Sequence, residues 1–150
     1  MTHLIDFNPP AIDNVIPAHY GAGNPVINKP EILELFLRSR WQHISQRESF
    51  YAIFLNQALK PIAWSKIADG GIDSVLMDVR ILFKYAIDCM ATGIVIAHNH
   101  PSGKLTPSAA DDKLTNVVRT GGEILHIRLV DHIILAPESG YFSYAESALI

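Results

Sequence analysis

Cysteine is nearly missing. Cys89 is the single one among 150 residues, which excludes an internal disulfide and any thiolate-rich zinc cluster. No apolar run approaches the roughly 20 residues of a membrane-spanning helix, and Met1-Thr2-His3 does not open a secretory leader. A surplus of positive charge is missing too: 12 Lys and Arg stand against 15 Asp and Glu, a formal net charge of −3. Binding of nucleic acid through a generally basic surface is therefore not expected, although a local basic patch stays open. There is no internal repeat and no low-complexity tract. A cytoplasmic protein, with no membrane association, is the expectation these absences leave. What is present is ordinary for a globular chain, 49% hydrophobic and 18% charged residues, in a length that suits one domain with one core.

Residues 1–29 carry Pro9-Pro10 and the stretch Gly21-Ala22-Gly23-Asn24-Pro25, punctuation that allows no long helix or strand. Scattered apolar residues such as Leu4, Phe7 and Ile16 suggest an irregular arm that lies on its own domain or exchanges with a second copy. The domain proper is expected over 30–150. A helix is predicted from Pro30 to about Gln46, with Ile32, Leu33, Phe36, Leu37 and Trp41 near helical spacing. "SFYAIFLN" reads as a strand covered on both faces, and "KPIAWSKIAD" as its partner. A helix over 74–91 and a buried strand from Gly93 to Ala97 come next. A third helix follows from Pro107, with Leu114, Val117 and Val118 inward and Gly121-Gly122 as its stop. "EILHIRLVDHIILA" then gives one long strand or two short ones, with His126 at a strand position. Strands interleaved with helices predict an α/β or α+β domain around one sheet.

The chemistry concentrates where the strand "GIVIA" ends. His98 and His100 are two residues apart, so in extended backbone their rings share a side. Asp111 falls one turn into the next helix and can reach back toward them. Two imidazoles and a carboxylate make a three-ligand zinc site with a fourth position open, the catalytic rather than the structural pattern. Bland readings stand beside this one. The histidines can be polar turn residues, and Ser108 with Asp111 also spells a helix-capping signal. Barrel hydrolases that use the same histidine spacing typically need about 250 residues, and zinc deaminases need paired cysteines. Both are excluded.

His98-x-His100, seven residues, Ser108, two residues, Asp111 resembles the JAMM (MPN+) metalloprotease motif, and "AHNHPSGKLTPSAAD" is similar to its RadC branch. "RESFYAIFLN" and "LVDHIILA" extend the resemblance over about Arg47 to Ile150. It implies a cytidine deaminase-like α/β domain, a mixed sheet flanked by helices. It implies zinc held by His98, His100 and Asp111, a hydrogen bond from Ser108 to the oxyanion or bound water, and Glu48 as catalytic acid–base. The implied activity is a metallopeptidase or isopeptidase. Two features depart from the family: the helix-hairpin-helix region of longer relatives has no counterpart in the arm, and Val79-Arg80-Ile81 keeps just the arginine of a family Pro-Arg-Glu. The "DNA repair" label of the branch finds no support in these residues. The rival to a hydrolase is a DNA- or protein-binding module with a structural metal. Asp131-His132 reads as a satisfied strand pair, and Arg38, Arg40 and Arg47 as a solvated face. Cys89 reads as a core residue.

Overall fold

The computed structural model describes residues 25–70 and 77–150. The elements run α1 (Pro30–Arg38), β1 (Ser49–Leu55), β2 (Pro61–Asp69), α2 (Val79–Asp88), β3 (Gly93–Asn99), α3 (Ala109–Leu125), β4 (Arg128–Leu135) and β5 (Tyr141–Ser143). The five strands form one mixed sheet in the order β2-β1-β3-β4-β5. The β3–β4 pair is parallel, with α3 as the connecting helix, and the other pairs are antiparallel. The expected α/β domain, a mixed sheet flanked by helices, is what the chain forms. No described helix is long and apolar enough to cross a membrane.

Strand parity builds two cores. In β1 and β3, Ala52, Phe54, Ile94 and Ile96 face α2 and α3, where Leu82, Phe83, Ala86 and Val118 meet them. Tyr51, Ile53, Leu55, Val95 and Ala97 face α1 through Leu33, Phe36 and Leu37. Both faces are covered, which is why β1 and β3 are buried at every position and read as unbroken apolar runs. The expected arm over 1–29 falls almost wholly outside the described residues. Its last residues dock: Ile27 is buried and its N–H donates to Leu59 O at 2.8 Å.

Five expectations need correction. The first helix stops at Arg38 rather than Gln46: the Phe36 carbonyl that Arg40 N–H would need accepts instead from Ser39 Oγ and Arg40 Nη1, His43 takes a left-handed φ of 59°, and Trp41 leaves the helix line to pack on Tyr51 at 4.3 Å. Gly121-Gly122 does not stop α3. A Cβ on Gly122 would stand 2.2 Å from Ile127 O, and one on Gly121 would stand 2.8 Å from the Phe83 ring. The glycines serve close approach between packed elements. The helix instead ends at His126, which is a left-handed C-cap with φ 56° and not a strand residue. Val117 is 47% exposed rather than inward. The arginines are more engaged than a solvated face: Arg38 pairs with Glu34 and donates to Pro137 O and Gly140 O, and Arg40 lies over the Phe36 ring.

Candidate metal centre

Parity and register place the site. His98 shares its face of β3 with Ile94 and Ile96, so its ring points to the α3 side, and there it stacks on Phe50 of β1 at 4.7 Å. Phe50 pairs with His98 in the antiparallel register. Continuing that register by two residues sets Glu48 against His100, on the same face. From above, α3 presents Asp111, Thr115, Val118 and Gly122 as one buried stripe. A carboxylate on the first turn of α3 thus meets the histidines leaving β3.

The functional atoms converge closely. His98 Nε2 lies 3.0 Å from His100 Nε2 and 3.1 Å from Asp111 Oδ1. His100 Nε2 is 3.6 Å from Asp111 Oδ2 and 3.8 Å from Glu48 Oε1. Glu48, His98 and His100 each offer a ligand atom within 4.8 Å of the others. The surroundings tune the groups in different directions. Burial raises the pKa of Glu48 against the opposing pull of His98 and His100. Burial also works to raise Asp111, but the adjoining His100 and His98 imidazoles outweigh it and hold that carboxyl well below the usual range. The Asp111 hydrogen bond raises His100.

This donor set suits a cation. His100 Nδ1 lies 2.6 Å from the Lys104 carbonyl, which can just accept, so Nδ1 carries the proton and the neutral ring turns a lone pair inward at Nε2. That lone pair faces another imidazole nitrogen and two carboxylates, a gathering of acceptors. Two nitrogens, a carboxylate oxygen and a second acid nearby match the ligand chemistry of zinc, and the 3.0 Å nitrogen spacing is near the roughly 3.3 Å kept by two ligands of one tetrahedral ion.

A family model for the RadC-like JAB domain matches residues 27–149. The chain belongs to the RadC-like JAB domain family. Among its relatives, a UPF0758 protein of Flavobacterium johnsoniae is 40% identical over 102 residues, 68% of this chain and 44% of the relative. A UPF0758 protein of Haemophilus influenzae is 36% identical over 126 residues, 84% of this chain and 56% of the relative. A third, from Rubrobacter xylanophilus, is 38% identical over 128 residues, 85% of this chain and 55% of the relative. The chain therefore spans about half the length of the curated relatives it matches.

In this RadC-like JAB domain, Ser108 fills the role of cap. Its Oγ accepts from Asp111 N at 3.1 Å, and its backbone N–H and hydroxyl both donate to Asp111 Oδ2 at 2.7 Å. The capping box and the histidine-facing carboxylate are one structure, with Oδ2 held by Ser108 and Oδ1 turned to His98.

Two supporting residues escaped the sequence reading. Asn99, fully buried between the histidines, accepts from Ser49 N at 2.8 Å and donates to Ile44 O at 2.6 Å and Arg47 O at 2.8 Å. It therefore pins the chain on both sides of Glu48. His132, set aside as half of a strand pair, is fully buried and touches His98: its Nε2 lies 2.8 Å from His98 Nδ1. Burial pushes its pKa well below the usual histidine range. Asp131 does behave as a satisfied strand acid, accepting from Ser143 Oγ, Ala145 N and His132 N. Nothing in the local pattern signals His132; the parallel register of β4 beside β3 brings it there.

Proposed function

We propose that this domain is a zinc-dependent hydrolase that cleaves peptide or isopeptide bonds. The observation that carries the reading is the convergence of His98 Nε2, His100 Nε2 and Asp111 Oδ1 with Glu48 beside them. His98, His100 and Asp111 hold the metal. A bound zinc ion supplies Lewis acidity, lowering the pKa of a water toward about 7 and polarising the scissile carbonyl. Glu48, whose affinity for a proton burial raises, accepts the water's proton at its carboxylate. As the new C–O bond forms and the C–N bond breaks, Glu48 returns that proton to the leaving nitrogen. No side chain forms a bond to substrate, so Cys89 has no part. Ser108 serves the oxyanion if its hydroxyl proton turns away from Asp111 Oδ2, where it now rests.

Elemental mass spectrometry of the purified protein tests the metal: roughly one zinc per chain is expected, and it should be absent from the His98→Ala/His100→Ala variant. Glu48→Gln should keep its zinc and lose about 100-fold or more of the cleavage rate on any substrate found for the wild type. Equal cleavage by that variant would remove Glu48 from the chemistry. Zinc retained in full by the double histidine variant would remove the site itself. A zinc-loaded protein without hydrolytic activity that bound DNA with steep salt dependence would favour the binding-module reading.

A further inference from the structure

The hydrogen-bond chain behind His98 has a direction. It starts at the Asp111 main-chain carbonyl, which can just accept. The Thr115 hydroxyl donates to it at 2.7 Å and so spends its one proton there. Toward His132 Nδ1, also 2.7 Å away, Thr115 Oγ1 must then accept. His132 Nδ1 therefore bears a proton. The ring is fully buried, stacked on Tyr144 at 4.8 Å with planes 6° apart and tilted against Phe50 at 6.1 Å, an environment that keeps it neutral. Its Nε2 is then a bare acceptor, and the 2.8 Å contact to His98 Nδ1 needs the proton on His98. A neutral His98 protonated at Nδ1 has its lone pair at Nε2, the atom that faces His100 and Asp111.

We propose that Thr115 and His132 are positioning residues that fix His98 in the Nδ1–H tautomer, keeping Nε2 unprotonated for a ligand. The inference rests on the zinc reading for its purpose but not for its geometry. The relay also closes on itself, because its terminal acceptor is the main chain of Asp111, whose side chain is on the other side of His98. One residue thus anchors the tautomer of the ring and meets that ring's free nitrogen. Removing the Thr115 hydroxyl leaves His132 Nδ1–H without an acceptor. His132 can then take up the Nε2–H form, donate to His98 Nδ1, and drive the His98 proton to Nε2, into the ligand position.

The test uses the whole chain, stripped with a chelator and labelled with 15N, near pH 8. Long-range imidazole 1H–15N spectra should find His98 protonated at Nδ1 and bare at Nε2 in the wild type. In Thr115→Val, which keeps the shape of the side chain, a share of His98 should move to Nε2–H; Thr115→Ser should restore the wild-type pattern. Zinc affinity by chelator competition should fall about 10- to 100-fold in Thr115→Val and stay within about threefold of wild type in Thr115→Ser. A role in packing alone would lower the unfolding temperature of Thr115→Val without moving the tautomer. Wild-type His98 protonated at Nε2, or zinc affinity unchanged in Thr115→Val, would overturn the proposal. A wild type that showed the Nδ1–H tautomer yet bound no zinc would support the relay and sink the metal reading by itself.

Discussion

Cys89 caps the C-terminus of α2, partly buried against the α2–α3 core. Burial, with the neighbouring Asp88 carboxylate adding to it, pushes its thiol up to about 11. The thiolate is the reactive form, so a rise of about two units leaves roughly 100-fold less of it at neutral pH. Alkylation by iodoacetamide at pH 7.5 should be slower than that of a free thiol by that factor, and should recover on denaturation. Asn99 offers a second prediction for single residues. Its three hydrogen bonds are buried, so Asn99→Ala should cost about 2–4 kcal/mol in chemical denaturation. It should also release the chain that carries Glu48: zinc content stays, while turnover falls toward that of Glu48→Gln. His98, His100 and Asp111 were legible as candidates because their type and spacing are written along the chain, whereas Glu48 entered through the family resemblance alone. The companions Asn99 and His132 were not, since their partners lie 52 and 34 residues away in sequence and a register, not a motif, brings them in.

Elements show the same division between local and distant causes. The apolar runs of β1 and β3 and the periodic stripe of α3 could be read directly, because burial on one or two faces imprints a period. The ends of α1 and α3 could not. The Ser39 and Arg40 side chains take the Phe36 carbonyl that a longer α1 would use, and the glycines of α3 make room for the Ile127 backbone and the Phe83 ring rather than ending their own helix. Gly122→Ala makes this testable. An exposed helical glycine gains about 1 kcal/mol on replacement by alanine. Here the new methyl meets a backbone oxygen that cannot step aside, so a net loss of about 1–3 kcal/mol is expected in urea unfolding. Gly121→Ala meets just the Phe83 ring and should lose less. At the other end, Ser108→Ala should cost about 1 kcal/mol as the loss of a cap.

For the molecule as a whole, pH should act through opposed histidines when metal is stripped away. His100 has a raised pKa, held first by its hydrogen bond to Asp111, so its contribution to stability is complete below its unfolded value and is lost as pH climbs through the folded one. His132 has a depressed pKa from burial, so its contribution is present above the unfolded value and is lost on acidification. Both unfolded values lie near about 6.5. The metal-free protein should accordingly be most stable near pH 6.5, with the thermal midpoint falling on either side. Asp111→Asn should flatten the alkaline limb and leave the acid limb. Asp111 itself, with a depressed pKa, adds a further loss below about pH 4.

The double duty of Asp111 bears on how relatives of this chain are diagnosed. The same carboxylate closes the first turn of α3 and looks onto the histidines. Selection for a stable helix would alone retain serine at 108 and an acid at 111, even in a protein that had given up metal. Ser108 and Asp111 are therefore poor markers of a working enzyme. The Glu48 carboxylate has no such second duty among the described contacts, since its one close partner is His100, so on the hydrolase proposal a homologue without it is expected to be inactive however complete the rest of its signature looks.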